Sequence, residues 1–262
     1  MKNIQEFKKK KQEAEKITMV TCYDHWSAQL LADTEIDVLL VGDSVSMVVH
    51  GFESTVHADI EMMALHTKAV ARANTGKFIV SDLPFLSHRK GKKTLMSHVD
   101  QLMKAGANAI KIECFPGQED VVEYISSSGV PVIGHVGLTP QYVNQLGGYR
   151  VQGKTEKDQD TITKQSLLLE KAGCHAMVLE CVPNDLAKSL TEKLEIPTIG
   201  IGAGVYVDGQ VLVLQDLLGF NEMFKPRFVR HFAEGETWLK QAVDQYVSEV
   251  MKESFPNMKE SF

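Results

Sequence analysis

Four carboxylates, a lysine and a histidine stand where short apolar segments of this chain end. Val41-Gly42-Asp43-Ser44 follows one such segment, Ser81-Asp82-Leu83-Pro84 another, and Lys111-Ile112-Glu113 closes a third. Gly134-His135 and Leu179-Glu180-Cys181 close two more. A single aspartate after a strand is usually a cap or a loop charge. A run of acids at consecutive strand ends is harder to place that way, because in one shared pocket they repel one another unless a cation sits among them. The donors are carboxylates, with no Cys or His pair at ligand spacing, so a hard ion such as Mg²⁺ suits them better than Zn²⁺. Asp43 and Asp82 are the best-placed ligands, with Glu113 binding directly or through a water. An ion held by so few ligands keeps positions open for a 2-oxo acid, whose keto group it polarises as a Lewis acid. Removing a proton beside that carbonyl then needs a base on another strand, and Glu180 is so placed. Lys111 and Glu113, two apart, face the same side of their strand. Lys111 is therefore either an internal salt-bridge partner or the cation that holds a substrate carboxylate, and His135 is either structural or a participant.

Positioning these groups requires parallel strands whose ends meet. Candidate strands are Ile17–Cys22, Ile36–Val41, Lys77–Ser81, Ala109–Ile112, Val130–Gly134, Ala176–Leu179, Pro197–Ile201 and Val211–Leu214. Several are apolar at consecutive positions, as strands covered on both faces must be. Amphipathic stretches at Asp24–Asp33, Asp59–Asn74, Lys92–Lys104, Gln118–Ser128, Lys157–Lys171, Asn184–Leu194 and Gly235–Met251 alternate with them, with Asp24 and Asp59 as N-caps and Gly106 and Gly173 as stops. Eight βα alternations predict a (β/α)8 barrel, in which active sites gather at the C-terminal mouth. Lys104–Glu113 and Lys171–Glu180 share a Lys-Ala-Gly start and a final Glu, which places Glu113 and Glu180 at equivalent ends of two strands. The expected organisation is one domain over residues 1–262, with an N-terminal helical extension at about 1–16 and a C-terminal helix at about 235–251.

Composition excludes several classes. The 262 residues carry 28 Lys+Arg and 34 Asp+Glu, a formal charge of −6, against a nucleic-acid backbone as the main partner. No apolar run approaches the roughly 20 residues of a membrane span. The first sixteen residues are polar and lysine-rich, unlike a secretory signal. Cys22, Cys114, Cys174 and Cys181 have no disulfide-scaffold spacing and read as free thiols in a reducing cytoplasm. Ile199-Gly-Ile-Gly-Ala-Gly204 lacks the dinucleotide fingerprint and reads as a strand end where backbone must approach a ligand. Gly147–Lys154, with the charged run to Asp160, reads as a polar loop at the mouth.

Seven segments in order, Val41–Ser44, Asp82–Phe85, Ile110–Glu113, Gly134–Gln141, Gly147–Gly153, Val178–Pro183 and Ile199–Gly204, resemble the ketopantoate hydroxymethyltransferase family over nearly the whole chain. The resemblance implies a barrel of the phosphoenolpyruvate/pyruvate superfamily type. It implies Mg²⁺ held through Asp43, Asp82 and Glu113, the oxo acid contacted by Asp43, Ser44, Asp82 and Lys111, and Glu180 as proton acceptor. The implied reaction carries a hydroxymethyl group from 5,10-methylenetetrahydrofolate to 3-methyl-2-oxobutanoate, giving 2-dehydropantoate for pantothenate synthesis. Family members form homo-oligomers such as decamers, for which the helix bearing Trp238, Leu239, Ala242, Val243, Tyr246 and Val247 offers a possible interface, or it packs on its own barrel. Two departures touch the pocket rim: Cys114-Phe115 stands where two glycines are expected, and Thr55-Val-His-Ala58 replaces a Thr-Leu-Pro-Val-like stretch. Three other readings stand beside this one. They are a C–C lyase or decarboxylase of the same superfamily using a mouth cysteine, a non-catalytic 2-oxo-acid sensor, and a sugar-phosphate isomerase using the Gly200–Gly204 loop.

Overall fold

The β-branched runs pair as parallel strands in the computed structural model, which describes residues 1–114, 116–221 and 226–262. They are β1 (Ile17–Thr21), β2 (Val38–Val41), β3 (Phe78–Asp82), β4 (Ala109–Glu113), β5 (Val132–Gly137), β6 (Cys174–Glu180), β7 (Thr198–Ile201) and β8 (Gly209–Leu212). Each pairs with the next, and β8 returns to β1 to close an eight-stranded barrel. Helices Gln5–Gln12, His25–Ala32, Ile60–Ala71, Lys92–Lys104, Glu119–Ser126, Glu156–Lys171 and Asn184–Lys193 precede or join the strands. The side chains of Asp24 and Asp59 accept the amides of Ser27 and Met62 at 2.8 Å, capping their helices as expected. Three differences follow from weak local signals. The last strand begins at Gly209 rather than Val211, because its Gly-Gln start carries no apolar run. Leu214 opens a short helix, Leu214–Leu218. The charged residues Glu156–Asp160 belong to the first turns of a helix capped by Thr155, so the polar mouth loop ends before them.

The interior explains the site. Strand side chains alternate sides, and the inward positions from the bottom upward are Ile17 and Met19, Val38 and Leu40, Phe78 and Val80, Ala109, Ile133, Ala176 and Val178, Ile199 and Val211. Phe7 of the N-terminal helix joins this cluster, fully buried, with its ring 5.3 Å from that of Phe78 in an edge-to-face contact. The next inward steps of β3, β4, β5 and β6 are Asp82, Lys111 and Glu113, His135 and Glu180. One alternation thus supplies an apolar plug below and ionisable groups at the mouth.

By its contacts the chain falls into two compact units, Met1–Leu212, which contains the whole barrel, and Val213–Phe262. The second unit holds helices Leu214–Leu218 and Gly235–Met251, and Trp238, Leu239, Val243, Tyr246 and Val247 of the latter are exposed. Among the described residues no helix is long and apolar enough to cross a membrane.

Candidate active site

Strand register sets the order of the mouth groups. Asp82 lies beside Lys111, Glu113 beside His135, and Gly137 beside Glu180. Asp43 follows β2, and its backbone amide donates to Asp82 Oδ2 at 3.0 Å. Lys111 Nζ lies 3.1 Å from Asp82 Oδ2 and 3.8 Å from Glu113 Oε1. His135 spans two acids, with Nδ1 3.3 Å from Glu113 Oε1 and Nε2 3.3 Å from Glu180 Oε2. Ser44 Oγ is 2.8 Å from the buried Tyr23 hydroxyl. All six expected site residues, Asp43, Ser44, Asp82, Lys111, Glu113 and Glu180, therefore come to one end of the barrel. Asp43, Asp82, Lys111 and Glu113 are buried there, and Glu180 is partly open.

Two groups of the mouth carry no charge in the sequence and escaped notice. Gln141, in the one-turn 3-10 segment Pro140–Tyr142 after β5, donates its side-chain amide to Asp43 Oδ2 at 2.8 Å and to the Leu83 carbonyl at 2.9 Å. Its backbone N–H donates to Glu113 Oε2 at 3.0 Å. Tyr23 is the other, reaching Ser44 from beyond β1. The sequence signals for Gln141 are its place at the end of the Gly134–Gln141 segment and a polar amide directly after a turn-forming proline. Two glycines of Ile199–Gly204 are approached closely by the chain itself. A Cβ on Gly200 would strike Val207, and one on Gly204 would strike Asn184, so the chain's own side chains crowd them. Cys114 is buried beside Glu113, whereas Phe115 lies outside the described residues, and Thr55–His57 forms a 3-10 turn.

Burial and charge act together on these groups. Burial raises the Asp43 carboxyl well above its ordinary range, and the nearby Asp82 and Glu113 charges add to it. Asp82 is also raised by burial, although Lys111 and the Asp43 amide oppose this. Burial acts the same way on Glu113, but His135, Lys111 and the Gln141 amide outweigh it and lower its pKa. Burial and Lys111 depress His135, yet Glu113 and Glu180 prevail and push it up to about 9. Lys111 is likewise raised, because Asp82, Glu113 and Asp43 outweigh its desolvation.

The donor set fits a hard divalent cation. Asp82 Oδ1 is buried with no hydrogen-bond partner, and two neighbouring carboxyls are pushed toward the protonated form, the state that a bound cation reverses. Among the described residues no group of three or more His, Cys, Asp or Glu side chains is placed to hold a metal ion, so a cation would rest on one or two carboxylates. An open site is what Mg²⁺ uses, since it keeps waters and takes one or two carboxylates plus substrate oxygens.

Solved structures share this fold. The chain aligns with phosphonopyruvate hydrolase complexed with oxalate and Mg++ at a TM-score of 0.64 and 12% identity, covering 99% of this chain and 93% of that one. It aligns with 2,3-dimethylmalate lyase, a PEP mutase/isocitrate lyase superfamily member, at 0.61 and 12%, covering 100% and 92%. At such identity the likeness is one of fold alone, a closed eight-stranded parallel barrel. Sequence relatives are much nearer. The chain is 52% identical to the 3-methyl-2-oxobutanoate hydroxymethyltransferase of Bdellovibrio bacteriovorus over 262 residues, covering 100% of both chains. It is 49% identical to the enzyme of that name from Legionella pneumophila (99% of both) and 48% to that from Francisella tularensis subsp. tularensis (98% and 97%). A sequence profile described as ketopantoate hydroxymethyltransferase matches residues 1–258. The chain belongs to the ketopantoate hydroxymethyltransferase family.

Proposed function

We propose that this chain transfers a hydroxymethyl group from 5,10-methylenetetrahydrofolate to 3-methyl-2-oxobutanoate, forming 2-dehydropantoate for pantothenate biosynthesis. One observation carries the assignment of roles: an unbroken line of polar contacts from Asp43 and Asp82, through Gln141, Glu113 and His135, to Glu180. Asp43, Asp82 and Glu113 would hold a divalent ion, with Mg²⁺ the favoured one. When bound, it supplies Lewis-acid polarisation of the keto oxygen and charge stabilisation of the enolate. Lys111 and Ser44, with Asp43 and Asp82, orient the oxo acid, the Lys111 ammonium pairing with its carboxylate. Glu180 takes the proton from C3, and His135, 3.3 Å from its Oε2, fixes the carboxylate's direction. The resulting carbon nucleophile bonds to the one-carbon unit of the folate, which leaves as tetrahydrofolate. Atom balance requires one water, whose oxygen becomes the new hydroxyl.

The lyase alternative needs an ionisable cysteine at the mouth. Burial pushes both Cys114 and Cys181 up to about 12, the reverse of a reactive thiol. The apolar residues exposed on helix Gly235–Met251 support self-association, for which we adopt the decamer, and four free cysteines support a cytoplasmic setting. A steady-state assay with both substrates and Mg²⁺, with and without chelator, tests the function. Turnover that needs the metal and falls roughly 10²–10⁴-fold in Glu180→Gln, with oxo-acid binding kept, supports it. Activity that survives complete metal removal, or release of pyruvate without folate, overturns it. Light scattering tests the oligomer.

A further inference from the structure

Every N–H of Gln141 is spent on the carboxylate cluster or its frame. The side-chain amide reaches Asp43 Oδ2 at 2.8 Å and the Leu83 carbonyl at 2.9 Å, and the backbone amide reaches Glu113 Oε2 at 3.0 Å. One buried residue thereby ties together the ends of β2, β3 and β4 across 98, 58 and 28 positions of sequence. We propose that Gln141 is a positioning residue for the divalent cation: it orients Asp43 and Glu113 as ligands without neutralising them. The proposal rests on the metal reading above and deepens it.

The chemistry of the side chain is the argument. Lys111 and His135 already bring positive charge to Asp82 and Glu113, and a third cation at position 141 would compete with a metal ion for Asp43. A carboxylate there would add a further repulsion. A primary amide supplies two donors and no net charge, so it fixes a carboxylate's rotation while leaving its charge to the ion. The turn gives the amide a rigid base. Pro140 opens it, and the Tyr142 amide donates to the Thr139 carbonyl at 2.9 Å. Outer groups that orient ligands in this manner are worth roughly 10–100-fold in metal affinity.

Calorimetric titration of Mg²⁺ into the metal-free protein tests this. Gln141→Met keeps the side chain's length and the backbone bond to Glu113 but removes both amide donors. Its Mg²⁺ dissociation constant should rise roughly 10–100-fold, and the Mg²⁺-induced gain in melting temperature should shrink to match. The Mg²⁺ concentration for half-maximal turnover should rise by the same factor. If Gln141→Met does not fold by circular dichroism, Gln141→Asn, which keeps a neutral amide but is one methylene too short to reach Asp43, is titrated in its place with the same weakening expected. A folded variant that binds Mg²⁺ within about twofold of the parent overturns the proposal, even if its metal-free stability is lower. A parent that binds no Mg²⁺ overturns the metal reading, and the proposal with it. Weak binding confined to the variant leaves the metal reading standing and supports the role of Gln141.

Discussion

Gly137→Ala should slow catalysis without disturbing the metal ligands. Gly137 ends β5 with φ at +92°, and its backbone lies against the end of β6. A Cβ built there would lie 2.7 Å from Val182 Cγ1 and closer still to the Glu180 carbonyl oxygen. Ordinary contacts lie near 3.5–4.0 Å, so the end of β6 must retreat by about 1 Å. Alanine in the left-handed region costs about 1–2 kcal/mol. Weakening the bond from the Leu138 amide to the Glu180 carbonyl, now 2.8 Å, costs about 0.5–1.5 kcal/mol more. The total of about 1.5–3.5 kcal/mol is below the usual stability of a domain, so the variant should fold. The displaced residue is the base, and a misplacement of about 1 Å costs on the order of 10²-fold in rate. Asp43, Asp82 and Glu113 come from β2, β3 and β4, so Mg²⁺ affinity should stay within a few-fold of the parent's. Initial rates with 3-methyl-2-oxobutanoate and methylenetetrahydrofolate measure the first quantity, and calorimetry the second. A folded Gly137→Ala enzyme with kcat within about threefold of the parent's would refute the placement of Glu180 as the base held by this contact.

Removing the Lys111 ammonium by Lys111→Met strands Asp82 and Glu113 in the interior, so the metal-free protein should lose about 3–5 kcal/mol, partly restored by Mg²⁺, in urea titrations. His135 has a folded-state pKa pushed up to about 9, so its stabilising contribution is complete below the ordinary imidazole range and is lost as pH rises through about 9. Metal-free stability measured by denaturant should therefore fall across that window, and His135→Gln should flatten the fall. Asp37 accepts Lys10 at 2.8 Å and the Thr18 amide at 2.9 Å; burial raises its pKa, but these partners outweigh it and lower the carboxyl below its ordinary value. Its contribution is present above the ordinary carboxylate range and lost as pH falls through the lowered pKa, so Asp37→Asn should cost about 1–2 kcal/mol near neutrality and nothing in strong acid.

What was legible in the sequence follows from periodicity, and what was not follows from distance. Phe78, Val80 and Asp82 step inward along one strand, and Ala109, Lys111 and Glu113 along the next, so strand ends alone identify the mouth acids. The shared pattern of Lys104–Glu113 and Lys171–Glu180 correctly places two glutamates at the ends of β4 and β6. Gln141 meets Asp43 only because the barrel closes 98 residues of intervening chain, and a neutral amide leaves no local trace of that meeting. Tyr23 is hidden in the same way, 21 residues from Ser44. The glycines of 199–204 pointed to a close approach of backbone, and at Gly200 and Gly204 Val207 and Asn184 make one that nothing local named. Phe7 carries its role in the barrel floor only through the tertiary contact with Phe78.

The partners of the three candidate ligands are unequal, and the inequality says where a cation gains most. Glu113 has His135, Lys111 and the Gln141 backbone amide around it, and its carboxyl is lowered despite complete burial. Asp82 has Lys111 at 3.1 Å and the Asp43 amide, and is raised. Among the described residues Asp43 has only the neutral amide of Gln141 as a side-chain partner at hydrogen-bond distance, and it is raised well above its ordinary range. A divalent ion therefore finds one acid already compensated and two whose ionised forms burial and neighbouring charge disfavour. Binding at Asp43 and Asp82 stabilises the ionised forms that burial disfavours, so affinity should climb with pH. Glu113, already ionised, is the member that can accept the ion directly or through a water without a proton being lost. Mg²⁺ titrations in two buffers of different protonation enthalpy count the released protons. No proton release at any pH down to the point where the ion ceases to bind would mean that it bypasses Asp43, and the chelate arrangement would then have to be redrawn around Glu113.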